Sequence, residues 1–407
     1  MLRRLVTIRT TILSLSVTLA GCQSTDRGSA AGLPSHAEVG RALGVSKCQV
    51  FRKRLDGTPG QRLSVRIPID GEQFRIDLES HSVRAAGYRV LVQNADGSVT
   101  ARRPGTVRTL RGTIWGRPEC RVAGAMLSDG LHLVIRLENG RRCWMEPVPR
   151  SIAAKHTYAV FADRNVLPTG GVCRTPGADE GDRAAGAAAG RGRLSRLDPT
   201  LIARIACDTD TEFVAAQGSP SAAESRINAV INAVNLQYEN QVGIRHEITT
   251  IVIRTASDPY TARDAKGRLC EFIREWTSTR AGIDRDLTYL FTGADLRGGT
   301  IGIAADIGGT GICVNEGGCS GGRFGTFGSY CLAQSDFSGS LSCVTDLTAH
   351  ELGHLWGAFH CSCPSSTMNA GITCTNTFGG GSISSILRYR LTRDCLEEEA
   401  PALAAVD

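Results

Sequence analysis

The sequence predicts an α/β (α+β) domain over residues 198–400, preceded by a β-rich region over residues 36–167. Before residue 167, short stretches alternate apolar and polar side chains between turn pairs such as Asp96-Gly97 and Asn139-Gly140, which is typical of antiparallel strands. After residue 198, strand-like runs alternate with helix-like periodicity. A break in composition over residues 168–197 separates the two regions.

Individual elements follow from the same patterns. In the N-terminal region, the alternation predicts strands at Gln73–Leu78 and Leu131–Leu137. Apolar, β-branched runs predict four strands in the C-terminal domain: Ile202–Cys207, Ile248–Ile253, Leu287–Phe291 and Thr300–Ala304. Ser221 and Glu224 form a capping-box pattern, so we expect a helix to begin there and to continue through Tyr238. Apolar spacing predicts another helix over residues 269–276.

Residues 168–197 contain Gly, Ala and charged residues, with almost no large apolar side chain. Such a segment cannot bury a core, so it is predicted to be an exposed, flexible linker. Its several arginines would also make it a site where a protease could cut.

The charge distribution argues against a nucleic-acid partner. The formal net charge is +6, from 46 Lys and Arg against 40 Asp and Glu in a chain of 407 residues. The basic residues are scattered along the chain, whereas a nucleic-acid footprint would cluster them on one element. We therefore interpret them as a solvated surface.

The first residues predict export. Three arginines, at positions 3, 4 and 9, precede Ile12–Ala20, an apolar stretch that is too short to span a bilayer. This pattern predicts a signal peptide over residues 1–21. The following residues 22–35 are rich in Ser, Gly and Ala and are interpreted as a tether.

The end of this signal, Leu19-Ala20-Gly21-Cys22, resembles the bacterial lipobox. The resemblance implies cleavage before Cys22 and attachment of diacylglycerol to its sulfur. The protein would then be a lipoprotein anchored to the outer face of a bacterial membrane, from which proteolysis could release it. The alternative is an ordinary secretory signal with an incidental cysteine, and both interpretations place the mature chain outside the cytoplasm.

The fifteen cysteines of an exported chain favour disulfides. With Cys22 set aside, fourteen remain, an even number that could form seven bridges. No paired CxxC motifs are present, which argues against cysteine–zinc clusters.

The segment with the clearest chemistry is HELGHLWGAFH, residues 350–360. His350 and His354 are four residues apart, so on a helix both imidazoles project from one face and can share a zinc ion. Glu351 is placed to take a proton from a zinc-bound water and so to act as the general base. Gly357 permits a sharp turn after the helix, which brings His360 round as the third ligand. Three nitrogens leave the fourth position open, as in a catalytic zinc site.

The pattern HExxHxxGxxH followed by a methionine turn resembles the metzincin zinc endopeptidases. Ser366-Thr367-Met368-Asn369 supplies the Met-turn, in which Met368 would pack beneath the ligands. The resemblance implies a mixed twisted sheet, an active-site helix, one catalytic Zn²⁺ and protein or peptide substrates.

Within the metzincins, residues 201–396 resemble the adamalysin, or reprolysin, family. Tyr289–Gly293 and then Thr300-Ile301-Gly302-Ile303-Ala304 are similar to its approach to the active-site helix, and the second segment would be the edge strand that pairs with substrate. A helix at Ser382–Tyr389 and a final cysteine imply a Cys313–Cys395 disulfide. The family usually has Asp where Cys361 stands, and its Met-turn is usually more distant.

The β-rich region is similar to the adamalysin propeptide domain, in which case Gly171-Val172-Cys173 would be a cysteine switch. The thiolate of Cys173 would occupy the open zinc position until the linker is cut. The alternative is that Cys173 is disulfide-bonded, which the even number of cysteines favours.

The function predicted from these features is an exported zinc endopeptidase made as a zymogen. Two alternatives stay open. One is a catalytically inactive adhesion or binding lipoprotein of the same fold, although such relatives typically lose the Glu or a His of the motif. The other is a structural lipoprotein of the cell surface whose N-terminal region binds partners.

Overall fold

The computed structural model describes residues 23–24, 32–55, 60–181, 199–308, 311–320, 323–324 and 328–399. The predicted signal peptide, the lipidation residue Cys22 and most of the tether lie outside the described residues. Within the described part, no helix combines the length and the apolar character needed to cross a bilayer.

The N-terminal region is built mainly of antiparallel strands, as its alternating pattern predicts. It contains helix α1 (His36–Leu43) and the strands β1 (Gln23–Ser24), β2 (Gln49–Arg52), β3 (Leu63–Ile69), β4 (Glu72–Ser80), β5 (Arg84–Gln93), β6 (Val99–Arg102), β7 (Thr109–Ile114), β8 (Arg117–Met126), β9 (Leu131–Arg136), β10 (Arg142–Pro147) and β11 (Thr157–Ala162). Nine of them form one sheet in the order β1-β2-β11-β10-β9-β8-β7-β4-β3. The predicted strands correspond to β4 and β9.

The C-terminal domain forms a second, mixed sheet. Its strands from Val172 onward are β12 (Val172–Cys173), β13 (Leu201–Thr209), β14 (Ile244–Arg254), β15 (Leu287–Thr292), β16 (Thr300–Ala304), β19 (Tyr330–Gln334) and β20 (Glu397–Glu398). The order is β12-β16-β19-β15-β13-β14-β5-β6, and β20 pairs with β13 at one end. Strands β17 (Cys319–Ser320) and β18 (Arg323–Phe324) form a separate two-stranded sheet. Strands β14, β13, β15 and β19 run parallel, and β16 runs antiparallel to β19. All four predicted strands of this domain are confirmed.

The described residues of this domain form five α-helices: α2 (Thr211–Gln217), α3 (Pro220–Val242), α4 (Ala265–Ser278), α5 (Leu341–Leu355) and α6 (Gly380–Arg390). The first four pack on the sheet, and α6 packs on α3. The predicted start of α3 is wrong. Ser219 is the N-cap, its hydroxyl accepts from the backbone N–H of Ala222 at 3.2 Å, and Pro220 occupies the first turn. The carboxylate of Glu224 pairs with Arg84 of the N-terminal region at 2.9 Å instead of closing a capping box.

The two sequence regions are joined more closely than their composition suggests. Strands β5 and β6 lie in the N-terminal region of the sequence but belong to the second sheet. There β5 pairs in parallel with β14, with Val90 opposite Ile251, and β6 pairs with β5. One buried cluster contains apolar side chains of both regions, including Trp144 and Val234. The domain boundaries stay a prediction, but part of the predicted N-terminal domain completes the C-terminal sheet.

The described cysteines do not all pair, so the seven bridges that fourteen cysteines could form are not reached. The described residues form the pairs Cys270–Cys319, Cys313–Cys395, Cys343–Cys374 and Cys361–Cys363. The pair Cys313–Cys395, which the family resemblance implied, is therefore confirmed. Five buried cysteines have free thiols: Cys120, Cys143, Cys173, Cys207 and Cys331. The parity argument for a disulfide at Cys173 is wrong, because an even number of cysteines did not mean that all of them pair.

Candidate metal centre

Helix α5 carries the first two histidines of the motif into the interior. It begins at the N-cap Ser340, ends at Leu355, and all of its residues are buried. His350 and His354 lie one turn apart on the same face. Gly357 follows with a φ of 85°, a left-handed conformation that favours glycine, and a Cβ there would lie 3.2 Å from Tyr389. The turn brings His360 back to the end of the helix, as the sequence predicts.

The three imidazoles converge on one point. The Nε2 atom of His354 lies 3.1 Å from that of His350 and 3.2 Å from that of His360, and the third distance is 3.3 Å. A tetrahedral zinc ion with nitrogen ligands at about 2.0–2.1 Å requires N···N distances of roughly 3.3–3.4 Å. The spacing of the rings therefore fits a zinc ion.

The opposite ring nitrogens show which tautomers are present. Nδ1 of His350 donates to the carbonyl of Thr367 at 2.6 Å, and Nδ1 of His354 donates to the carbonyl of Ala358 at 2.7 Å. Nδ1 of His360 donates to Asp179 at 2.7 Å. The proton of each neutral ring is thus on Nδ1.

Burial keeps these rings neutral, since it lowers the pKa of His350 to about 3 and lowers the pKa values of His354 and His360 as well. Three Nε2 lone pairs then face each other without a proton between them. Such lone pairs repel one another unless a cation lies between them, so the donor set fits a divalent metal.

Cys173 completes the group of ligand atoms. Its Sγ atom lies 3.5 Å from Nε2 of His354, and all four ligand atoms lie within 4.8 Å of one another. A tetrahedral zinc with a thiolate at about 2.3 Å requires S···N distances of roughly 3.5–3.6 Å. The distance to His354 fits a fourth ligand, at the position where the sequence predicts an open site or a cysteine switch.

Cys173 is held there by a segment that we call the cleft segment, residues 171–179. Its backbone binds on two sides: the N–H of Cys173 donates to the carbonyl of Ala370 at 2.9 Å, and the N–H of Ile372 donates to the carbonyl of Gly171 at 3.1 Å. On the other side, Val172 and Cys173 pair in parallel with strand β16. The prediction of an exposed, flexible linker is therefore wrong for this segment. Although it has almost no large apolar side chain to bury, backbone hydrogen bonds fix it beside the three histidines.

Further contacts of the cleft segment reach the third ligand and strand β16. The carbonyl of Ala178 accepts from the backbone N–H of His360 at 3.0 Å, next to the contact of Asp179 with the imidazole of that residue. The hydroxyl of Thr175 accepts from the N–H of Ala304 at 2.8 Å. The sequence motifs do not mark Thr175 or Asp179, because a linker composition gives no signal for either.

Glu351 lies beside this group with one oxygen free. Its Oε2 atom is 3.5 Å from Sγ of Cys173 and 3.5 Å from the hydroxyl of Thr175, whereas Oε1 has no hydrogen-bond partner among the described residues. Burial raises the pKa of Glu351 to about 8. Strand β16 passes close by, and a Cβ on Gly302 would lie 2.1 Å from Oε1. The carboxylate is therefore directed at the position that Cys173 occupies.

Met368 lies beneath the ligands, as the Met-turn resemblance implies. It is fully buried, and a Cβ on Gly353 would lie 2.6 Å from its Sδ atom. The segment Thr300-Ile301-Gly302-Ile303-Ala304 is strand β16, at the side of the sheet that faces the centre. His350, His354, His360 and Cys173 thus converge on one point, with Glu351 beside them and Gly302 of β16 next to Glu351. Cys22 lies outside the described residues.

Comparison with known proteins places this centre in a class. Residues 200–394 match the family Reprolysin_5, described as metallo-peptidase family M12. These residues are therefore a reprolysin-like zinc metallopeptidase domain. Among solved structures, the chain is similar to the crystal structure of metalloproteinase-II from Bacteroides fragilis, at 12% sequence identity and a TM-score of 0.45, over 81% of this chain and 91% of that chain. No curated protein sequence matches the chain.

Proposed function

We propose that the protein is an exported, adamalysin-like zinc endopeptidase in which Glu351 is the general base. The observation that carries this proposal is the convergence of three unprotonated Nε2 atoms within 3.1–3.3 Å of one another, beside a buried carboxylate. A bound zinc ion would polarise the scissile carbonyl and make water a stronger nucleophile at neutral pH.

The residues of the chain then divide the remaining work. Glu351 accepts a proton from the attacking water and returns it to the leaving nitrogen, because Oε2 lies 3.5 Å from the atom at the fourth position. Strand β16 binds the backbone of an extended substrate, as it binds the cleft segment. Met368 supports the ligands from below.

Latency belongs to the same proposal. The thiol of Cys173 occupies the position where water is needed, and the cleft segment covers the edge of β16 where a substrate would pair. A cut in the following part of the linker, residues 182–197, would free one end of this segment and allow it to leave. The chain would therefore be made as a zymogen.

Export and lipid anchoring are proposed from the first residues of the chain, which resemble a lipoprotein signal ending in Cys22. The disulfides of the C-terminal domain support an oxidising location. Mass spectrometry of the mature protein tests this part, since a diacylated N-terminal Cys22 is the expected result and an unmodified terminus elsewhere contradicts it.

An inactive binding protein of the same fold is less consistent with the site, because one buried oxygen of Glu351 has no hydrogen-bond partner in the part of the chain that the structure describes. A buried polar atom without a partner destabilises the fold, and a protein that only binds partners would have no use for it. Hydrolysis separates the two functions. The protein with its linker cut should degrade casein or gelatin, and a chelator should stop this hydrolysis. The Glu351→Ala variant should hydrolyse neither protein but should still bind one zinc ion. If the cut, zinc-loaded protein hydrolyses nothing, the enzyme proposal is wrong.

A further inference from the structure

One loop, residues 366–376, contacts the surroundings of every ligand histidine. The carbonyl of Thr367 accepts from Nδ1 of His350 at 2.6 Å. The side chain of Met368 packs against Gly353, which precedes the second ligand, and the carbonyl of Met368 accepts from the N–H of Cys361 at 2.9 Å, directly after the third ligand. A shift of this loop would therefore move or rotate the zinc ligands.

The loop is held from helix α5 by Asp346, which lies one turn before His350 and is fully buried. Its Oδ1 atom accepts from the hydroxyl of Thr367 at 2.6 Å and from the backbone N–H of Asn376 at 2.8 Å. The two ends of the loop are thus tied to one carboxylate. The segment HELGHLWGAFH does not include Asp346, and the position of Asp346 on helix α5 gives no signal in the sequence.

The orientation of the Thr367 hydroxyl is fixed by two hydrogen bonds. It donates to Asp346 and accepts from the side-chain amide of Gln237, on helix α3, at 3.0 Å. A hydroxyl has one proton to donate, so these two contacts set its direction. With the side chain fixed in this way, the carbonyl of the same residue is presented to His350 in one orientation.

The rest of the loop needs such an anchor. Cys374 and Asn376 have φ values of 59° and 51°, a left-handed conformation that costs free energy for residues other than glycine. It persists because the surroundings hold it: Cys374 is bonded to Cys343, and the side chain of Asn376 donates to the carbonyl of Ser342 at 3.1 Å. Asp346 adds the contact nearest to the zinc ligands.

We infer that Asp346 is a positioning residue, which sets the affinity for zinc by orienting His350 through Thr367. The inference rests on the proposed zinc centre, but it does not depend on peptidase activity. Acceptors behind a metal-bound histidine typically change metal affinity by about 10–100-fold when they are lost. The link here has one more step, from Asp346 to Thr367 and from Thr367 to the imidazole.

The experiment measures the Kd for zinc of the full-length protein by competition with a chromophoric chelator. Asp346→Ala and Thr367→Val should each weaken zinc binding by about tenfold, the lower end of the range for direct partners, because the carbonyl that His350 contacts remains but is less well oriented. Thr367→Ser keeps the hydroxyl and should stay close to the unmodified protein. Thr367→Val also keeps the volume of the side chain, so it tests the same link where Asp346→Ala fails to fold.

A matched control separates positioning from stability. Asp210 is equally buried in the same domain, and it accepts from the backbone N–H of Phe213 and pairs with Arg268 at 2.8 Å, on elements other than α5. Asp210→Ala should lower the free energy of unfolding but leave the Kd for zinc unchanged. Folded Asp346→Ala and Thr367→Val proteins that bind zinc as tightly as the unmodified chain would overturn the inference. An unmodified chain that binds no zinc would instead overturn the proposed function.

Discussion

Gly302 has no side chain at the point where strand β16 passes closest to Glu351. A Cβ there would lie 2.1 Å from Oε1 and 2.7 Å from Cδ of the glutamate, so Gly302→Ala must displace the carboxylate. A displacement of about 1 Å can reduce turnover by about 100-fold. We expect a loss of that size in kcat for casein hydrolysis by the cut protein, with one zinc ion still bound.

The matched control for this substitution is Gly282→Ala, since a Cβ at Gly282 meets no atom within 4 Å. It should leave kcat unchanged. If Gly302→Ala retains full activity, Glu351 is not held in the position that the structure gives it, and its role as general base needs another geometry.

At this scale, the sequence predicts the residues of the zinc motif and little of what orients them. The ligands follow from fixed spacing on one helix, which is a local property. Asp179 and Asp346 act through contacts with residues distant in sequence, and a single carboxylate has no pattern that marks such a contact. Cys173 shares features of both groups. Its role is suggested by a family resemblance, but its position depends on hydrogen bonds to residues distant in sequence.

Among the elements, the cleft segment determines whether the centre is accessible. Serine is a much weaker ligand for zinc than a thiolate. Cys173→Ser should therefore weaken the binding of the cleft segment to the metal centre, while the backbone contacts of the segment remain. Each loss of about 1.4 kcal/mol in the free energy of that binding raises tenfold the fraction of molecules in which the segment has left the centre. We expect the uncut variant to hydrolyse casein at least about tenfold faster than the uncut parent.

Cys120→Ser is the control, because Cys120 is another buried free thiol, located in the first sheet. It should leave the uncut protein as inactive as its parent. The cysteine-switch proposal fails if uncut Cys173→Ser is equally inactive.

The end of helix α5 is held by a buried histidine that stays neutral. Nε2 of His246 accepts from the indole N–H of Trp356 at 3.1 Å, and Nδ1 donates to Asn235 at 3.1 Å. Burial lowers the pKa of His246 from 6.5 to about 3. Between these values the unfolded chain binds a proton that the folded protein does not, so the free energy of unfolding falls as the pH decreases from 6.5 toward 3.

His246→Gln should remove this dependence, since glutamine has a donor and an acceptor but is not protonated in this pH range. The slope of the free energy of unfolding below pH 6.5 should decrease by at most about 1.4 kcal/mol per pH unit. Urea unfolding at several pH values measures it. Both proteins contain the same ligand histidines, so the difference reports on His246 alone, and identical slopes would contradict the prediction.

For the whole molecule, the sequence predicts six of the strands correctly but not which strands are neighbours. Strand β5 belongs to the β-rich N-terminal region of the sequence, yet it pairs with β14 of the other region, and no local pattern in its residues marks that partner. The N-terminal boundary of α3 is missed for a similar reason. Glu224 fits a capping box locally, but its carboxylate is used by Arg84, which is 140 residues away in sequence.

The pair Arg84–Glu224 therefore tests how far the two regions stabilise each other. Its side chains are 13% and 5% exposed, and the same carboxylate also accepts from the hydroxyl of Tyr88 and from the N–H of Gly105, both in the N-terminal region. Arg84→Met leaves a buried carboxylate without its cation, which typically costs about 3–5 kcal/mol. We expect the free energy of unfolding, measured with urea, to fall by about 3 kcal/mol, because two partners of Glu224 remain.

The comparison is Arg62→Met, since Arg62 pairs with Glu79 within the first sheet and its side chain is 89% exposed. Exposed pairs contribute about 0–1 kcal/mol, so this variant should unfold almost as the parent does. A large effect of Arg84→Met in one cooperative transition would mean that the N-terminal region and the peptidase domain unfold together. A small effect, or two separate transitions, would mean that they are independent folding units, and that the peptidase domain can be released without losing its fold.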